Sequence, residues 1–69
     1  MPERRPDGAG GEILMEFVVQ GSVVKVTAID PKSGTEASIV GPASAPRSVL
    51  ESNAARKLHY VLKKQRGEA

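Results

Sequence analysis

The chain has no cysteine and no tryptophan, and it has one phenylalanine, one tyrosine and one histidine in 69 residues. Without cysteine there is no disulfide framework and no thiolate zinc site. A single histidine excludes a His-rich metal cluster. Two aromatics, one of them expected in the core, leave no stacking platform for single-stranded nucleic acid. No apolar run approaches the roughly 18–20 residues of a membrane span. The opening "MPERRPDGAGGE" carries charge but no apolar stretch, so no secretory signal is read there and the chain is expected to be cytoplasmic. The length allows one small domain, whose core is marginal at this size without staples, metals or oligomerisation.

The net charge of +2 conceals an asymmetry. Residues 1–41 hold six acids and four bases; residues 42–69 hold six bases and two acids. A basic C-terminal third suits an anionic partner. Residues 1–11, rich in Pro, Gly and charge, bury too little apolar surface to offset their ordering entropy and read as a disordered tail. Residues 12–66 then form the single domain.

From Ile13 the composition changes. "EILMEFVVQ" and "VVKVTAID" are rich in β-branched and other apolar residues and flank Gly21-Ser22. Glycine first in a two-residue loop suits a type II′ hairpin, which sets Gln20 opposite Val23, Val18 opposite Lys25 and Phe17 opposite Val26. A turn centred on Gln20-Gly21 would instead set Glu16 opposite Lys25, with the same faces. "IDPKSGTE" predicts a four-residue hairpin loop closing on Asp30 and Thr35. A third strand follows over about Thr35–Val40, stopped by Gly41-Pro42. One sheet face then carries Ile13, Met15, Phe17, Val19, Val24, Val26, Ala28, Ala37 and Ile39. The other mixes Leu14, Val18, Val23, Ile29 and Val40 with Glu16, Lys25, Thr27, Glu36 and Ser38.

Leu50, Ala54, Leu58, Val61 and Leu62 recur at three- and four-residue spacing and predict an amphipathic helix. Ser44 or Ala45 is expected to precede Pro46 as its cap, unless a capping box of Ser48 and Glu51 starts it later. Gly67 suits its C-terminal end. The expected fold is α+β: a three-stranded antiparallel β-meander (β-β-β-α) with one C-terminal helix packed on its richer face.

The stretch "FVVQGSVVKVTAIDPKSGTEASIVGPASAPRSVLE" followed by "AARKLHYVLKKQ" resembles a family of very short, uncharacterised alphaproteobacterial proteins. The resemblance covers roughly residues 14–65 and is carried by "VKVTAIDPKSGTE", "IVGPASAPR" and "RKLHYVL". It implies a bacterial protein of unknown function and brings no catalytic residues with it.

Three surfaces are candidates for function. The second sheet face holds Leu14, Val18, Val23, Ile29 and Val40 with no element to cover them, which suits a homodimer, joined by these faces or by edge-strand pairing, or another protein partner. Ser44, Arg47 and Ser48 surround the helix start, where an anion could sit, although Pro46 removes one donor and Arg47 opposes the helix dipole. Arg56, His59, Lys63 and Arg66 fall at i, i+3, i+7 and i+10 and form a ridge roughly 150° from the apolar stripe, suited to nucleic-acid phosphates. His59 has Ala55, Arg56, Leu62 and Lys63 as helix neighbours, none able to orient its ring or serve as a nucleophile. Tyr60 is expected to pack on the sheet edge. The expectation is a non-catalytic interaction or regulatory module with no cofactor, metal or membrane partner; the alternative is a nucleic-acid-associated accessory protein.

Overall fold

The computed structural model describes residues 3–6 and 13–67. Its elements are β1 (Glu3–Pro6), β2 (Leu14–Gln20), β3 (Val23–Asp30), β4 (Thr35–Pro42) and α1 (Arg47–Gln65). The strands form one antiparallel sheet in the order β1-β2-β3-β4. The expected meander is thus β2-β3-β4, followed by the single helix. Of the stretch read as a tail, residues 1, 2 and 7–11 lie outside the described residues. Glu3–Pro6 pair with Phe17 to Leu14 and add a fourth, short strand. The outer edge of β2 offers unpaired N–H and C=O groups, and such an edge takes up any extended segment that reaches it.

Both hairpins close as the turn chemistry dictates. Gly21 has φ +63°, and among the described residues none but glycine has positive φ, so Ser22 does not, the pattern of a type II′ turn with glycine first. Its register sets Gln20 opposite Val23, Val18 opposite Lys25 and Phe17 opposite Val26. At the second turn Asp30 and Thr35 pair. The Asp30 carboxylate accepts from the Lys32 N–H at 3.1 Å and from the Ser33 hydroxyl at 2.9 Å. Gly34 takes φ +77° and donates its N–H to the Asp30 carbonyl at 2.8 Å. An Asx-type turn thereby satisfies the loop's own backbone.

β4 does not stop at Val40 but runs through Pro42, with Gly41 opposite Val24 and Pro42 opposite Val23. Ala43 N–H bonds to the Ser22 carbonyl at 2.8 Å. Hydrogen-bonded and non-hydrogen-bonded positions alternate along the ladder, so Pro42 falls where its nitrogen points off the outer edge. No donor is lost, and the strand continues.

The helix starts with Pro46 as N-cap and has no side-chain cap, so neither Ser44 nor a Ser48–Glu51 box performs that role. Pro46 instead contributes its carbonyl, which accepts from the Val49 and Leu50 N–H groups. The ring presets the φ that the turn into the helix requires. Gly67, φ +79°, ends the helix in the left-handed region.

Met15, Phe17, Val24, Val26, Ala28 and Ala37 of the sheet bury with Leu50, Ala54 and Leu58 of the helix. Val61, Leu62, Ile13 and Ile39 flank them. Val19 shares the inner face but is 61% exposed. The helix packs on β4 and β3, and the end of β2 projects past it. A Cβ built on Gly41 would come within 2.7 Å of Leu50 Cδ2, so glycine there lets the helix approach the strand.

Leu58 is fully buried. Leu58→Ala should cost about 2–5 kcal/mol, much of the stability of so small a domain. Urea unfolding followed by circular dichroism should show a midpoint near zero denaturant or no cooperative transition. Gly41→Val, which drives two methyl groups at Leu50, should cost about 1–3 kcal/mol in the same assay.

Candidate functional site

The strand register places the open face in four rows across β2, β3 and β4. From the Gly21 turn these are Gln20–Val23–Pro42, Val18–Lys25–Val40, Glu16–Thr27–Ser38 and Leu14–Ile29–Glu36. Of the five apolar residues expected here, Val23 and Val40 are exposed, Val40 at 67%, while Leu14, Val18 and Ile29 are half-buried by their neighbours. Thr27 is only 6% exposed, although no element of the described chain lies over it. It pairs across the strands with Glu16 and Ser38. Its hydroxyl lies 2.8 Å from that of Ser38 across a non-hydrogen-bonded position, where facing side chains come closest. The face is therefore two apolar groups separated by a satisfied polar row. Lys25 stands in one group and Glu36 beside the other.

The outer edge of β4 is guarded. Lys57 reaches from the helix and donates to the Ser38 carbonyl at 2.7 Å. A lysine at an open edge, with proline further along it, discourages strand addition. At the far end the Thr35 hydroxyl donates to Gln65 Oε1 at 3.0 Å and ties the second hairpin to the end of the helix.

Ser44, Arg47 and Ser48 all lie exposed around the helix start. The Arg47 guanidinium sits over the Phe17 ring, 4.3 Å from its centroid. This cation–π contact gives the arginine of the first turn a structural role. The dipole disfavours the charge by a few tenths of a kcal/mol, and the ring returns about as much or more. The arm thereby lies against Phe17, a core residue on β2. Beside it runs a groove of about 140 Å³ lined by Phe17, Val19, Val24, Ala43, Ala45, Arg47 and Leu50. Among the described residues that line it, Arg47 is the one ionisable group.

Arg56, His59, Lys63 and Arg66 are all exposed, as the helical spacing requires. Arg66 stands just past the last helical residue. Tyr60 does not pack on the sheet edge. It is 60% exposed, and Lys64 Nζ lies 5.7 Å from its ring centroid. Tyr60 lies about 130° around the helix from the buried stripe, too far to return to the sheet. Among the described residues no group of three or more His, Cys, Asp or Glu could hold a metal ion. No described helix is long and apolar enough to cross a membrane.

Sequence reasoning missed three features: the Lys57 guard on β4, the Arg47–Phe17 stack and the enclosure of Thr27. The first two depend on where the helix settles across the strands, which no local pattern encodes, and the third on the cross-strand neighbours of Thr27 on the other face. Because Ser44 does not cap the helix, Ser44→Ala should change stability by less than about 0.5 kcal/mol. A true N-cap would lose about 1 kcal/mol. Urea midpoints of the two proteins decide between these outcomes.

A family model described as a domain of unknown function (DUF6898) matches residues 10–65. No curated protein and no solved structure matches the chain.

Proposed function

We propose that this chain, which belongs to the DUF6898 family of domains of unknown function, is a non-catalytic protein-interaction module that works through the open face of its sheet. The observation that carries the reading is that face. Five aliphatic side chains lie on it among Lys25, Glu16 and Glu36, with no element of the described chain over them. A solvated antiparallel face ordinarily alternates toward polar side chains throughout. The partner is a second copy of the same chain. A small domain with a marginal core gains stability from such pairing, and the face carries charges of both signs, as a surface that meets itself requires.

The expected affinity is weak. Three strands about 4.8 Å apart and eight residues long present roughly 400 Å² per copy, at the low end for specific association. Sedimentation equilibrium from about 10 µM to about 1 mM should show a reversible monomer–dimer equilibrium with a midpoint in the upper micromolar range. A monomer throughout that range overturns the reading.

The second reading is a nucleic-acid-associated accessory protein. It is supported by the exposure of Arg56, His59, Lys63 and Arg66 on the helix surface away from the sheet. Four basic positions would give weak, strongly salt-dependent binding. Retardation of duplex or single-stranded probes at low salt that vanishes near physiological salt would favour it. Absence of retardation at low salt removes it.

A further inference from the structure

We infer that the two copies meet end-for-end, with Lys25 of each facing Glu36 of the other and Val18 of each packing on Ile29 of the other. The inference rests on the reading of the open face as a self-association surface. Its first support is charge. Lys25 and Glu36 are exposed, and among the described residues neither side chain makes a hydrogen bond or ion pair within the chain. They lie on adjacent strands two rows apart, so in one copy they are separated by roughly 14 Å and cannot meet.

A two-fold interface pairs residue i with j and j with i. An axis running along β3 would set Lys25 against Lys25 of the other copy, and a like-charge contact costs affinity. An axis running across the strands, through the row that holds Thr27, turns the sheet end-for-end. The second row of each copy then lies over the fourth row of the other. Strictly across the strands, this sets Lys25 over Ile29 and Val18 over Leu14; inclining the axis by about 15°, so that the two sheets cross at about 30° as packed sheets do, brings Lys25 to Glu36 and Val18 to Ile29. Thr27 lies next to the axis, where a small side chain with its hydroxyl already engaged leaves room for close approach. One rotation therefore resolves two isolated charges and joins the two apolar groups that the polar row separates within a copy.

The test is charge reversal followed by rescue, read by sedimentation equilibrium. Lys25→Glu and Glu36→Lys should each weaken the dimer by roughly tenfold, since each reversal makes two like-charge contacts. The double variant should return to within about threefold of the unaltered chain. A second measurement needs no variant. In a mixture of isotope-labelled and unlabelled copies, filtered NOE spectra should connect Val18 and Ile29 methyl groups. Within one copy these stand roughly 14 Å apart, beyond reach of such a contact. If the unaltered chain dimerises but the double variant stays as weak as the singles, or the methyl contact is missing, the end-for-end arrangement is wrong and the self-association stands. If the unaltered chain is monomeric at about 1 mM, both fall.

Discussion

A helix is about 10 Å across with its side chains, whereas β2, β3 and β4 together span about 15 Å. One helix cannot roof three strands, and most of the structure's particular features follow from that mismatch. Lengthwise the fit is good, since 19 residues of helix and eight of strand both measure about 27–28 Å. Across the sheet the helix must choose, and it lies on β4 and β3. Gly41 permits that choice by leaving space for Leu50. What projects beyond the helix on the β2 side is covered by other means or left open. Arg47 extends over Phe17, and Val19 remains in solvent at the mouth of the groove.

The same shortage of cover governs the edges and the second face. At β4 the helix lies close enough for Lys57 to hold the Ser38 carbonyl, and Pro42 presents no N–H. At β2 the four residues of β1 occupy part of the edge. The β4 edge is thus obstructed, while β1 is itself the outer strand on the other side. The apolar groups of the open face are separated by the Glu16–Thr27–Ser38 row.

The basic residues of the C-terminal third now divide by role. Arg47 covers the core and Lys57 guards an edge, so neither is a spare surface charge. Lys63 and Lys64 occupy the last turn, where positive charge favours the helix dipole, and Lys64 also lies over Tyr60. The charge asymmetry of the sequence thus has structural causes before any partner is invoked.

Local chemistry by itself determined the second turn and its register, the alternation of faces, the helix and its buried stripe, because each is set by residues a few positions apart; between the two registers open to the first hairpin, the structure selects Gln20 opposite Val23. Asp30 to Thr35 leave the backbone little choice, and a period of two or of 3.6 admits one inward face. The motifs around "VGPASAPR" and "RKLHYVL" likewise carried the likeness to an uncharacterised family. Only the tertiary structure decided the rest: that β4 continues through Pro42, that Arg47 serves Phe17, that Tyr60 and Val19 stay in solvent, and that Thr27 is enclosed. The places of Arg47, Tyr60 and Val19 depend on the lateral position of the helix over the sheet, whereas the run through Pro42 and the burial of Thr27 depend on pairing between strands. Long-range packing between segments 20 to 30 residues apart sets that position, and no short stretch of the sequence contains it.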